Sequence, residues 1–172
     1  MLKRVAITGP ESTGKSKLAL WLANTYQTMQ VSEYAREYLE KNGPDYTLED
    51  VIAIAKGQLK REEDTAGHAK DLLFCDSDLL VTKIWCEVVF GTCPQWIEQQ
   101  FQMHRYDLYL LCYPDIPWEP DPLRENPDDR EALFGLYLKA LGENNLPYRI
   151  VKGLGNIRFE NARTFVDEIM NV

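Results

Sequence analysis

The first seventeen residues constrain this chain more than any other stretch. Val5, Ala6 and Ile7 form an apolar run leading into Gly9. After four intervening residues comes Gly14-Lys15-Ser16, and a helical pattern follows. Strand, GxxxxGKS loop and helix, in that order, form the setting of a phosphate-binding loop. The residue types follow from the task. Gly9 and Gly14 permit backbone angles that turn successive amides inward around a phosphate, and the start of the next helix adds its dipole. Lys15 brings a point charge to the β- and γ-phosphates, and the Ser16 hydroxyl can ligate Mg²⁺. Gly9, Glu11, Ser12, Thr13, Gly14, Lys15, Ser16 and Lys17 are therefore the candidate binding set for a nucleoside triphosphate.

Composition narrows the partners. With 172 residues, 45% of them hydrophobic, the chain can bury a core of its own. A net charge of −8 argues against a nucleic-acid partner, which would need a basic surface. No run approaches the roughly 18 apolar residues of a membrane helix, and no signal peptide is visible, so no membrane role and a cytoplasmic location are expected. Cys75, Cys86, Cys93 and Cys112 lack the paired spacing of zinc sites. Cys75 and Cys112 lie in apolar runs, as core residues do.

The pattern along the chain predicts alternating strands and helices. Leu18, Ala19, Leu22, Ala23 and Tyr26 mark the inward face of the first helix. A short strand, MQVSE, follows. Thr47-Leu48-Glu49-Asp50 reads as a capping box that opens a helix through about Leu59, with a charged, solvated stretch after it. Leu72–Cys75 and residues 106–112 read as strands buried on both faces, as in a parallel sheet. Helices are expected over 79–90 and 95–104, from Asn126 to about Glu143 with Leu133, Leu136, Tyr137, Ala140 and Leu141 inward, and at the C-terminus. The last strand falls in LPYRIVKG. The architecture is α/β, with a parallel five-stranded sheet between helical layers, in one domain over residues 1–172. His68 and His104 are read as structural.

In such sheets ligands lie outside the carboxyl ends of the strands. Asp76, after LLFC, stands where an aspartate orients Mg²⁺ beside Ser16, although it could instead cap the next helix. Asp78 suits either role. Glu33 follows the second strand and can accept the proton of an attacking hydroxyl, with Arg36 one turn later to hold a substrate oxygen. Arg124 and Arg130 flank ENPDD in a proline-rich segment, where positive charge could cover a migrating phosphoryl group. Trp118 could cover an aromatic ring or anchor its loop. Gly153 and Asn156, after the last strand, could lie against an adenine.

Together these pieces resemble the ribosylnicotinamide kinase domain of the NadR family, within the P-loop nucleoside kinases. TGPESTGKS, VSEYAREYLE, FCDSD, YDLYLLCYPDIPW and LRENPDDRE match its pattern in order, across essentially the whole chain. The resemblance implies the P-loop kinase strand order, a lid over about residues 114–130, and transfer of the γ-phosphate of ATP to the 5′-hydroxyl of nicotinamide riboside. It also implies contact of Glu33, Tyr34, Arg36, Asp78 and Trp118 with the substrate, Glu33 as base and Ser16 and Asp76 as the Mg²⁺ residues. The reverse assignment, with Asp76 as base, stays open. The competing expectations are a kinase of another nucleoside and an ATPase or nucleotide switch without a small-molecule acceptor. NadR proteins carry a nucleotidyltransferase domain before the kinase, whereas this sequence starts at the phosphate-loop strand, so a standalone kinase or an excised domain is expected. The sequence sets no oligomeric state.

Overall fold

Alternation inside the central strands decides the layering. Val5, Ile7, Phe74, Leu108 and Leu110 face one side of a sheet, while Ala6, Leu73, Cys75, Tyr109 and Leu111 face the other. Because both sets are buried, each strand reads as one unbroken apolar run. The computed structural model describes residues 1–171. Strands β1 (Lys3–Thr8), β2 (Met29–Val31), β3 (Leu72–Asp76), β4 (Leu108–Cys112) and β5 (Tyr148–Val151) form one sheet. Their order is β2-β3-β1-β4-β5, with every neighbouring pair parallel. Helices α1 (Lys15–Thr25) and α7 (Gly155–Met170) cover one face. The other face carries α3 (Leu48–Ala66), α4 (Leu79–Phe90), α5 (Gln95–Met103) and α6 (Arg130–Glu143), and α2 (Tyr34–Asn42) packs on α3. This is the expected three-layer α/β/α fold, with the turns after β1, β2, β3 and β4 gathered at one end.

Three details depart from the sequence reading. The capping box is present, with Asp50 N donating to Thr47 Oγ1 at 3.3 Å and Thr47 N donating to Asp50 Oδ2 at 2.8 Å. The helix it opens runs on to Ala66, however, and its charged second half is only partly solvated. Glu62 is wholly buried because it continues the inward stripe of Val51, Ala55 and Gln58. Helix α6 begins at Arg130 rather than Asn126: Asn126 precedes Pro127, which biases it away from helical angles, and its amide donates to the Glu11 carboxylate at 3.1 Å. Leu136 points outward, 41% exposed, one position off the face made by Leu133, Tyr137 and Leu141. All four cysteines are free, and Cys75, Cys86 and Cys112 are buried.

Candidate active site

The loop after β1 takes the shape its glycines allow. Gly9 has φ 132°, Ser12 φ 54° and Gly14 φ 77°, all in the left-handed region. A side chain at Gly9 would stand 2.9 Å from the Cys112 carbonyl oxygen, so only glycine lets the loop pass this close to β4. Lys15 opens α1 and bends back to donate to the Gly9 and Pro10 carbonyls at 3.0 and 2.8 Å. The Thr13 hydroxyl also donates to Pro10 O, at 2.7 Å. These bonds close the loop into a ring around the space a phosphate would fill.

Two carboxylates stand at the end of β3. Ser16 Oγ donates to Asp76 Oδ2 at 2.6 Å, and Asp76 Oδ1 is buried with no partner among the described residues. Burial, and then the nearby charge of Glu33, push the Asp76 carboxyl up to about 6. A buried carboxylate oxygen without a donor, beside a serine hydroxyl, fits a hard cation that takes oxygen ligands. Asp78 holds the N-cap position of α4, yet its side chain does not cap: Thr8 Oγ1 donates to Asp78 Oδ1 at 2.8 Å. Burial raises Asp78 to about 6 as well. Glu33, at the N-cap of α2, receives the Ser77 hydroxyl at 3.4 Å.

A cavity of about 480 Å³ opens from the phosphate loop. Residues 9–17, Glu33, Arg36 and Asp78 line its polar end, and Leu39, Ile54, Trp85, Leu133 and Tyr137 its apolar end. The segment between β4 and α6 roofs it. Glu11 Oε2 accepts from the Glu125 and Asn126 amides, each at 3.1 Å, and from Asn126 Nδ2 at 3.3 Å. Glu119 N donates to Ser12 Oγ at 2.9 Å, and Arg36 pairs with Asp121 at 3.1 Å. Tyr46 donates to Glu125 at 2.7 Å while accepting from Trp85 Nε1 at 2.9 Å, which ties the roof to the apolar wall.

Not every expected residue reaches the cavity. Tyr34 lies flat on α3: a side chain at Gly57 would fall 2.2 Å from its ring, and the Arg61 guanidinium stacks 4.7 Å from its centroid. Arg124 lines the roof and bonds the Glu119 carbonyl. Arg130 does not line the cavity and instead holds the phosphate loop, donating to Ser12 O at 2.8 Å and to Ile116 O at 3.0 Å. Trp118 sits between these arginines, 6.0 and 5.7 Å from ring centroid to guanidinium. Gly153 donates its amide to Asp115 at 2.7 Å, and Asn156 is exposed at the start of α7. The sequence reading missed Gln58, Tyr46, Trp85 and Arg158. Gln58 Oε1 accepts from the Tyr34 amide at 2.7 Å and orients the turn that carries Glu33.

A family described as an AAA domain matches residues 4–158. That span covers the phosphate loop, the roof and all five strands except the first residue of β1. The chain belongs to this AAA-domain family. It is also 32% identical over 157 residues to the trifunctional NAD biosynthesis/regulator protein NadR of Salmonella typhimurium LT2, covering 88% of this chain and 38% of that protein. With NadR of Escherichia coli K12 the identity is 30%, over 98% of this chain and 43% of the relative. The chain thus spans about two fifths of the curated relatives it matches, and these matches bear out the resemblance drawn from its motifs. Among solved structures, NadR in complex with NR superposes with TM-score 0.82 at 23% identity, covering 99% of this chain and 51% of that one. NadR in complex with NAD and AMP-PNP gives 0.78 at 24%, over 99% and 50%. A deoxyadenosine kinase from M. mycoides gives 0.70 at 15%, over 96% and 99%. The AAA-domain fold seen here is therefore shared with P-loop kinases. No described helix is long and apolar enough to cross a membrane.

Proposed function

We propose that this protein is an ATP-dependent kinase that phosphorylates the 5′-hydroxyl of nicotinamide riboside, giving nicotinamide mononucleotide. One observation carries the reading: a single cavity is lined both by the phosphate loop and by apolar and aromatic side chains, and Glu33 is among its lining residues. An ATPase or switch has no use for the second compartment. The relatives support the choice of acceptor, since NadR takes part in NAD biosynthesis and has been seen with NR.

In this reading the loop amides and Lys15 hold the β- and γ-phosphates. Lys15 leaves the Gly9 and Pro10 carbonyls for the phosphate oxygens. Ser16 and Asp76 would hold Mg²⁺, which would supply positive charge to offset that of the phosphates. Glu33 accepts the proton of the 5′-hydroxyl as its oxygen attacks the γ-phosphorus. The bond from that phosphorus to the β–γ bridging oxygen breaks, and ADP leaves with the electron pair. Arg36 and Asp78 orient the ribose, while Trp85 and Tyr46 border the ring. Residues 114–130 act as a lid that keeps water from the phosphoryl group, with Arg124 bringing charge to it.

The test is an ADP-release assay with Mg-ATP fixed and the acceptor varied: nicotinamide riboside, uridine, cytidine, adenosine, or none. Turnover selective for nicotinamide riboside is expected. Release that ignores the acceptor would overturn the kinase reading, and turnover with another nucleoside would overturn only the substrate.

A further inference from the structure

Against the phosphate loop lies a buried arginine from α7 that is not among the residues lining the cavity. Arg158 is 3% exposed. Its Nη2 donates to Thr13 O at 2.8 Å and to Tyr113 O at 2.9 Å. Its Nη1 donates to Asp115 Oδ1 at 2.7 Å and to Gly153 O at 3.1 Å. One guanidinium thus gathers the phosphate loop, the end of β4 and the β5–α7 turn. Its Nε is buried without an acceptor among the described residues, about where a Gly14 side chain would point (4.0 Å). A buried N–H left unpaired is costly and calls for a reason.

Peptide geometry links the Nη bonds to the loop amides. No peptide bond among the described residues is cis, so the carbonyl of Thr13 and the amide of Gly14 point in opposite directions from one plane. Holding the Thr13 carbonyl outward aims the Gly14 N–H toward the cavity that Thr13 and Gly14 line. Arg130 does the same one peptide earlier: it holds the Ser12 carbonyl and so aims the Thr13 N–H. A guanidinium on the oxygen also polarises the peptide and makes its N–H a stronger donor. We propose that Arg158 is a positioning residue of the anion site, fixing and polarising the phosphate-loop amides without touching the ligand. This rests on the nucleotide-binding part of the proposed function and extends it to a residue outside the cavity.

The experiment measures binding of ATP and of inorganic tripolyphosphate by calorimetry, well below the melting temperature, for wild type, R158K, R158Q and R158A. Losing charge-assisted bonds to the loop should weaken both ligands in R158Q by roughly tenfold. R158K, which keeps a charge but loses the fork, should fall between R158Q and wild type. Millimolar guanidinium should restore part of the affinity of R158A. Unchanged affinity for tripolyphosphate in R158Q, with only a lower melting temperature, overturns the proposal and leaves Arg158 a packing residue. Should R158Q fail to fold, R158K decides: wild-type affinity for both ligands overturns the proposal. A wild type that binds neither ligand overturns the nucleotide-binding reading, and this proposal with it.

Discussion

Replacing Glu62 by glutamine should destabilise the protein far more than a change in a charged helix tail would suggest. The carboxylate is fully buried, and three donors converge on it: Arg4 Nη1 at 2.8 Å, His104 Nε2 at 2.8 Å and the Tyr106 hydroxyl at 2.6 Å. Burial alone would raise its pKa, but the bond and charge of His104, the Tyr106 hydroxyl and the charge of Arg4 outweigh burial and hold it below the usual value. Glutamine keeps the shape, loses the charge and turns an NH₂ toward groups that also donate. At about 1.5–3 kcal/mol per charge-assisted bond, and with part of the network surviving, the expected loss is about 3 kcal/mol. For a chain of this size that lowers the melting temperature by roughly 6–12 °C. Circular-dichroism melts from pH 7 down to pH 3 are the assay. Because the folded pKa is depressed, the stabilisation is present above the unfolded value of about 4.3 and is lost as pH falls through the folded one. The gap between wild type and variant should therefore close below about pH 4. A gap under about 2 °C at pH 7, or one that stays constant down to pH 3, would refute the reasoning.

The site supports three further predictions. Gly9→Ala places a methyl 2.9 Å from the Cys112 carbonyl at φ 132°, so it should cost about 2 kcal/mol and weaken ATP binding, read by melting and calorimetry. Lys15→Ala and Asp76→Asn should each lower turnover by about two orders of magnitude with the fold intact, as expected for losing one preorganised electrostatic group, while Glu33→Gln with unchanged turnover would remove Glu33 as the base. Glu11→Ala removes the acceptor of three bonds from the roof, so proteolysis within residues 114–129 should quicken roughly tenfold, with little change in melting temperature.

Much of the architecture was legible because local and global signals agree. The unbroken apolar runs of β3 and β4 require burial on both faces, and the phosphate-loop motif fixes both the turn after β1 and the start of α1. Glu33, Arg36, Asp78 and the loop residues could be placed because the strand-end rule needs only the order of elements. The side chains of the roof were harder. Whether Arg130 lines the cavity or grips the Ser12 carbonyl depends on how the segment before α6 runs, and that segment is tied to Glu11, more than a hundred residues earlier. Tyr34 neighbours a site residue in sequence, yet its ring leaves the cavity because Gly57, on another helix, offers it a flat seat.

The polar residues missed inside helices, Glu62 among them, share one trait. Gln58 and Glu62 continue the inward stripe of α3, and Arg158 leads the stripe it forms with Ala162 and Val166 on α7. A reading by hydrophobic periodicity treats a polar residue at such a position as noise, or as the end of the element. Physically it is the reverse: a charge or amide held inside a helix–sheet interface costs free energy unless partners converge on it, so an inward polar residue implies a network. The partners come from distant sequence, since Arg158 meets Thr13 across 145 residues and Glu62 meets Tyr106 across 44. The sequence can therefore reveal that such a network exists, but not whom it joins. Here one of the three networks holds up the foot of the sheet, one orients the turn bearing Glu33, and one backs the phosphate loop. Two of the three thus act on the candidate site without lending it an atom that touches the phosphates. Substitutions at Gln58 and Arg158 should accordingly alter the site although neither touches the phosphates, whereas substitution of Glu62 should act chiefly on stability.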